Sequence, residues 1–325
     1  MIEEALDRAA AVLAGARSVA LACHVNPDPD AVGSMLGLAA FLRERGVEVV
    51  CSWGNEPLEP PRWLGEVGDL APIVPPREFP ERPEVMVALD TAAADRLGML
   101  AEAAGRAGAV VVLDHHVTNS GFGTVEVIDP TASSTAELVF RLVERMGGAL
   151  APAAAACLYA GLVADTGRFQ YEISRPETLR IGAALREHPF DHARLSQALF
   201  EDNSFTYLRL AGLLLARMRL EPEASLVWTY LTQADLAAAG VAMPETDDLI
   251  DIVRTAREAD VACVLKEQRD GRFKVSLRSR GGTDVGSIAH ARGGGGHRLA
   301  AGYTAHDAPA AEIEGLVEAL RAVRT

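Results

Sequence analysis

Three patterns are missing from this 325-residue chain, and each absence narrows what it does. No run approaches the ~20 consecutive apolar residues of a membrane-spanning helix, so no membrane role is expected. Cysteine is scarce: Cys23, Cys51, Cys157 and Cys263 lie in or beside apolar runs without short paired spacing. Neither a disulfide framework nor a cysteine-ligated zinc follows from that, and reduced, buried thiols fit a cytoplasmic chain. Positive charge is in deficit. A net charge of −14 argues against a general duplex-DNA binder, which usually carries a basic face, but leaves room for a short nucleotide substrate. Aromatic residues make up 5%, so Ala, Val and Leu must do most of the packing, and no interleaved aromatic platform for long single strands is evident. The first residues, Met1-Ile-Glu-Glu-Ala-Leu-Asp-Arg8, read as an amphipathic helix without the basic start and apolar stretch of a signal peptide.

What is present is an alternation of strand-like and helix-like segments over the first half. Strands are predicted at 18–23, 47–52, 85–89, 109–113 and 124–128, and helices at 31–45, 134–146, 152–164 and 177–187. Strands that are apolar throughout and separated by helices predict a parallel sheet covered on both faces, with ligands outside the carboxyl ends of the strands. Residues 188–221 read as a mainly helical linker. From about 222 to 325 the order strand, helix, helix, strand, strand, helix predicts a second, smaller α/β domain. Within it, 272–280 alternates, with Phe273, Val275 and Leu277 on one side and Lys274, Ser276 and Arg278 on the other. The expected architecture is therefore α/β, with a parallel-sheet domain over 1–187, a smaller domain over 222–325 and a cleft between them.

The chemistry-bearing residues fall at the ends of the apolar runs: His24-Val-Asn-Pro-Asp28-Pro-Asp30, Leu89-Asp90-Thr91, Leu113-Asp114-His115-His116 and Ala164-Asp165-Thr166-Gly167. A lone Asp after a strand is more often a helix cap or turn former. Four such clusters together suit a two-metal hydrolytic site. Asp28 and Asp30, two residues apart in an extended turn, can aim carboxylates at neighbouring cations, and His24 can add a nitrogen. Asp90 can bridge two ions, with His115 and Asp165 completing the second. Mixed imidazole and carboxylate donors suit Mn²⁺ or a similar first-row ion better than an all-oxygen Ca²⁺ or Mg²⁺ site.

Far downstream, Gly293–Gly296 is followed by His297 and Arg298. As a loop, the glycines would let backbone N–H groups approach an anion. Between Lys266 and Arg298 there are eight Lys or Arg against three acids, and a basic patch in an acidic protein calls for an anionic partner.

These motifs, in this order, resemble the DHH phosphoesterase superfamily, and Gly294–Gly302 resembles the glycine-histidine motif of its DHH-associated substrate domain. The resemblance covers nearly the whole chain and points to members of the nanoRNase and 3′-phosphoadenosine-5′-phosphate (pAp) phosphatase type. It implies two Mn²⁺ ions, one held by His24, Asp28 and Asp90, the other by Asp30, Asp90, His115 and Asp165. Asp114 and His116 become supporting catalytic residues, with His116 bonding a phosphoryl oxygen or helping a proton to the leaving group. Arg278, Arg280, Gly295, Gly296 and His297 become substrate contacts. The implied reaction is hydrolysis of short RNA or DNA oligonucleotides, pAp, or linear or cyclic di-adenylate, and a homodimer is compatible with it. The rivals are a manganese inorganic pyrophosphatase, whose Ser-Arg-Lys-Lys type signature is absent, a long-chain exonuclease, for whose extra domains there is no room, and a non-catalytic nucleotide-binding regulator.

Overall fold

Strands that are apolar at every position need cover on both faces, and the fold supplies it. The computed structural model describes residues 2–68, 70–119 and 121–324, which divide into two units, Met1–Asp202 and Asn203–Thr325. In the first unit, β1 (Ser18–Cys23), β2 (Glu48–Trp53), β3 (Val85–Leu89), β4 (Ala109–Asp114) and β5 (Val125–Ile128) form one sheet in the order β2-β1-β3-β4-β5, parallel throughout. Side chains alternate across it. Val19, Leu21, Cys23, Val87, Leu89, Val111 and Leu113 enter a large core with α1 (Ile2–Gly15), α2 (Pro29–Arg43), α4 (Thr135–Arg145) and α5 (Pro152–Asp165). Ala20, Ala22, Met86, Ala88, Val110 and Val112 face the other way, under a 3₁₀ segment at Ala94–Leu100 and α3 (Ala101–Arg106). The expected parallel sheet, buried on both sides, is what forms.

Two helix starts are dictated locally. Asp28 caps α2 by accepting from the Ala31 N–H, with Pro29 at the first helical position, where its missing donor costs nothing. Ser134 caps α4 by accepting from the Glu137 N–H. Helices α2 and α5 then pack at very short range because glycine leaves room. A Cβ on Gly33 would lie 2.4 Å from the Cys157 carbonyl oxygen, and one on Gly161 would lie 2.7 Å from Asp30 Oδ1.

The stretch 188–221, expected as a linker, is shared between the units. After α6 (Pro176–Arg186), α7 (His192–Phe200) places Leu195 in the first core, whereas α8 (Phe205–Ala216) places Tyr207, Leu210 and Leu214 in a core of the second unit. That unit continues with β6 (Arg219–Glu221), β7 (Leu226–Leu231), α9 (Gln233–Ala239), α10 (Leu249–Val253), β8 (Val261–Glu267), β9 (Phe273–Ser279), α11 (Val285–Ala291), β10 (Gly295–His297), β11 (Ala300–Ala305) and α12 (Pro309–Arg324). Its sheet runs β10-β11-β9-β8-β7-β6, and only β7 and β8 are parallel. Three strands exceed the expectation: β6, β10 and β11. The glycines of β10 and the run Ala300-Ala301-Gly302 in β11 are too small to display the alternation by which a strand is read, so the expected loop at 293–297 is partly a strand. Among the described residues no helix is long and apolar enough to cross a membrane.

The α2–α5 contact is testable. The backbone carbonyl facing Gly33 cannot swing aside as a side chain could, so Gly33→Ala should cost about 1–3 kcal/mol of stability. Urea unfolding of the two proteins measures it, and equal midpoints would show that the helices separate freely.

Candidate active site

A parallel sheet puts the carboxyl ends of all its strands on one edge. Between β1 and β3 the chain order reverses direction, which opens a crevice there. Cys23 pairs with Leu89 and Leu89 with Leu113. The next residues, His24, Asp90 and Asp114, therefore start side by side. Asp90 has φ = 54°, in the left-handed region that Asp tolerates better than most side chains but still at a cost. Its N–H donates to the Leu113 carbonyl at 2.9 Å, tying the turn to the neighbouring strand.

This turn aims the Asp90 carboxylate at imidazoles on two sides. Oδ2 lies 3.4 Å from His24 Nε2, and Oδ1 lies 3.6 Å from His115 Nε2 and 3.5 Å from His116 Nδ1. The Thr135 hydroxyl donates to Oδ1 at 3.0 Å. Asp30, on the first turn of α2, is buried and faces the start of α4. Thr135 N–H donates to its Oδ2 at 2.7 Å, and Ala136 N–H and the Ser34 hydroxyl donate to Oδ1 at 3.0 and 3.2 Å. A carboxylate at a helix N-terminus is favourably placed. Asp165, the last residue of α5, lies 3.2 Å from His115 Nε2.

The chain thus brings together three groups of donor atoms within 4.8 Å: His24, Asp28 and Asp90; Asp30, His115 and Asp165; and Asp90, His115 and His116. The first is the set expected for one ion. The second, with Asp90 beside His115, contains the set expected for the other. His116, expected to act on substrate, also falls in a group. Its Nδ1 is 2.7 Å from Asp114 Oδ1, while Asn119 Nδ2 donates to Asp114 Oδ2 at 2.6 Å, so the buried Asp114 carboxylate orients His116. Burial works against a charged His116, but the bond to Asp114, with the Asp90 charge behind it, pushes its pKa up to about 9.

The donor set fits a divalent cation. Asp30 is pushed well above the usual carboxylate range by burial and then by the charges of Asp90 and Asp28. Asp165 is raised by loss of solvation and then by Asp30, Asp90 and Asp28. Asp90 moves the other way. Burial opposes its charge, but the hydrogen bond from His24 and the charges of His115 and His116 outweigh it. Like charges crowded with so little water need a cation among them. The neutral His24 is oriented for the task, since its Nδ1 sits 2.8 Å from the Val25 carbonyl and so carries the proton, leaving Nε2 toward Asp28 and Asp90.

Thr135, Asn119 and Ala136 were invisible as site residues in the sequence. Thr135 and Asp30 are 105 positions apart, and only the packing of α4 against α2 joins them. The cap Ser134 and the buried Glu137, which accepts from the Ser133 hydroxyl at 2.7 Å and from Arg175 Nη2 at 2.5 Å, were the available signals. They mark a helix start without saying what it faces.

In the second unit the register decides which expected substrate residues share a surface. Arg278 pairs with Ala300, and Ala300 with His297, so Arg278 and His297 lie on one face of the sheet. Lys274, Ser276, Gly302 and Thr304 share it, and a shallow hollow there includes Arg278, Gly294 and Gly302. The opposite face buries Val275, Leu277, Ala301 and Tyr303. Arg280 lies beyond β9 and donates to the Ala256 carbonyl at 3.1 Å. It is not brought to this face by the strand. The glycines depart from the expected cradle. Gly293 and Gly294 N–H groups cap α11 through the His290 and Ala289 carbonyls, and Gly295 and Gly296 sit in the β10 ladder. Gly296, at φ = 138°, has the Ala300 carbonyl oxygen 2.5 Å from where a Cβ would be, so glycine serves close strand approach there. The basic excess is also smaller than the count over 266–298. Asp247 pairs with Lys266 and Lys274, Asp251 approaches Arg278 at 3.8 Å, and Glu312 pairs with Arg292. These partners lie outside the counted window.

Comparison with known proteins agrees with this geometry. Residues 18–162 match the DHH family, N-terminal domain, and residues 227–324 match the DHHA1 domain. A bifunctional oligoribonuclease and PAP phosphatase NrnA from Thermus thermophilus is 34% identical over 285 residues, 87% of this chain and 83% of that protein. The Bacillus subtilis protein of the same description is 28% identical, covering 86% of each chain. The crystal structure of an exopolyphosphatase-related protein from Bacteroides fragilis superposes with a TM-score of 0.89 at 26% identity, over 98% of this chain and 96% of that one.

Thr135 and Asp90 give a graded test. Asp90→Ala should abolish Mn²⁺ binding and turnover with the fold retained. Thr135→Val, which loses the hydroxyl bond to Asp90 but keeps the N–H bond to Asp30, should weaken Mn²⁺ binding about tenfold, and Thr135→Ser should restore it. Calorimetric titration with Mn²⁺ separates these. Wild-type affinity in Thr135→Val would remove the hydroxyl from the site's support.

Proposed function

We infer function from the premise that the chain belongs to the DHH family, with a DHH domain followed by a DHHA1 domain. We propose that it is a metal-dependent phosphoesterase that hydrolyses short oligoribonucleotides to mononucleotides and pAp to AMP, with linear or cyclic di-adenylate as further substrates. The single observation that carries this reading is Asp90, whose two oxygens face different imidazoles where two donor groups meet. That arrangement suits two ions sharing one carboxylate. His24, Asp28 and Asp90 would hold one Mn²⁺, and Asp30, Asp90, His115 and Asp165 the other. When bound, such cations supply charge neutralisation at the phosphoryl oxygens and a water acidic enough to attack near neutral pH. The protein's own part is orientation. Asp114 holds His116 by its Nδ1, so the ring can hydrogen-bond a phosphoryl oxygen or pass a proton to the leaving oxygen. The open face carrying Arg278 and His297 would bind another part of the substrate, with Gly295 and Gly296 beside them. The names of the Thermus and Bacillus relatives support the substrate class. Initial rates on a dinucleotide RNA, pAp and cyclic di-adenylate with Mn²⁺, at equal concentration, test it, and no hydrolysis of any would overturn it.

The division of roles has its own test. Arg278→Ala and His297→Ala should each lower kcat/KM about ten- to a hundredfold, the worth of one charge-assisted contact, with manganese content unchanged. Loss of metal in either variant, by elemental analysis, would contradict the separation of substrate binding from metal binding.

Substrate length follows from charge. A chain of net charge −14 repels a long polyanion beyond its binding site, and repulsion is least screened at low salt. Rates should be highest from dinucleotides to oligomers of about five, a length taken from per-module footprints of single-strand binders, and fall for longer chains, most steeply at low salt. A 5′-labelled RNA ladder reads this directly. Equal or faster degradation of a long strand at low salt would indicate a processive exonuclease.

A further inference from the structure

Arg96 is a cation at the metal site to which the sequence motifs give no role. Its Nη2 lies 3.5 Å from His24 Nδ1. That nitrogen cannot accept from it, because Nδ1 is 2.8 Å from the Val25 carbonyl and must carry the proton for that bond. Guanidinium is a donor only, so the approach of Arg96 to His24 satisfies none of its N–H groups. Among the described residues Arg96 forms no ion pair with a carboxylate, although Asp28 and Asp90 lie against the far nitrogen of the same ring. The side chain is exposed, at the most acidic edge of an acidic protein.

The backbone fixes this position. The Val25 N–H donates to the Arg96 carbonyl at 2.8 Å, which pins the segment after β3 to the segment after β1. Gly98, at φ = 56°, lets the chain pass there. A Cβ would lie 2.5 Å from Val25 Cγ1 and 2.9 Å from the Gly54 carbonyl oxygen. Arg96 is thus carried on the residue next to a metal ligand. A cation is unsuited to the ligand sphere itself, and Arg96 sits on the Nδ1 side of His24, outside it. What it can serve there is an anion that reaches past the ions.

We propose that Arg96 is a substrate-contacting residue, whose guanidinium donates to a phosphoryl oxygen of the bound ester or of its phosphate product on the His24 side of the site. The proposal rests on the phosphoesterase reading for its substrate, but the contact can be tested without turnover. Guanidinium suits the task because its planar fork matches phosphate oxygens and stays charged at every relevant pH.

The experiment uses the full chain loaded with Mn²⁺ and titrated with inorganic phosphate and with AMP. Arg96→Ala should weaken phosphate binding about ten- to a hundredfold, Arg96→Lys less, and neither should change Mn²⁺ affinity. In turnover, kcat/KM of Arg96→Ala should fall over the same range, and added guanidinium ion should restore part of it. Unchanged phosphate affinity in Arg96→Ala would overturn the proposal. So would a loss of Mn²⁺ affinity that accounts for the whole effect, since Arg96 would then only position His24. If wild type hydrolysed no ribonucleotide yet bound phosphate through Arg96, the substrate reading would fail while the anion contact stood.

Discussion

The Asp90 carboxylate lies between His24 on one oxygen and His115 and His116 on the other, and much of the first unit serves to keep it there. It occupies a left-handed turn at the end of a central strand. Its N–H is spent on the neighbouring strand and one oxygen accepts from Thr135. Removing that turn from a parallel sheet would remove the shared edge on which His24 and Asp114 also stand. The other constraint is proximity of α2 to α5. Asp30 and Asp165 belong to different helices, and both reach His115's group only because Gly33 and Gly161 let the helix backbones nearly touch. Glycine here costs helix propensity, about 1 kcal/mol per residue relative to Ala, and that cost is offset by the ligand geometry it permits.

The parallel sheet was legible because β1, β3 and β4 are apolar at every position, a pattern with little other use. The ligand candidates were legible because carboxylates and imidazoles recur where such strands end. What stayed hidden is long-range. Nothing local to Thr135 says that its N–H faces Asp30, and nothing local to Arg96 says that its segment lies against Val25. The second unit was harder for a different reason. A strand is read from contrast between its two faces, and Gly295-Gly296 and Ala300-Ala301-Gly302 have almost none. Counting charges along the chain also overstated the basic patch, because Asp247, Asp251 and Glu312 reach in from other segments.

Those acids change how the open sheet face would bind an anion. Lys274 already holds Asp247, and Arg278 lies 3.8 Å from Asp251. A phosphate arriving there does not meet bare cations. It exchanges one anionic partner for another, so the net gain is smaller than for an unpaired cation, but the side chains are held in place beforehand and lose less freedom on binding. Lys266 sets the limit of this exchange. It is buried with Asp247 against it, and stripping its carboxylate away without a replacement would leave a buried charge unpaired, which is costly.

Arg96 represents the opposite case, and the two together explain how an acidic protein can favour a polyanionic class of ligand. Its guanidinium has no carboxylate to surrender, so a phosphoryl oxygen would gain a contact without displacing one. The cost of holding an unpaired cation there is kept low by exposure to water, which a fully buried arginine could not use. Charge of the right sign is thus confined to places where a backbone bond or an ion pair fixes it, while the remaining surface stays acidic. Selectivity for small anions follows from that confinement, because each phosphate beyond the fixed cations meets repulsion instead of a partner.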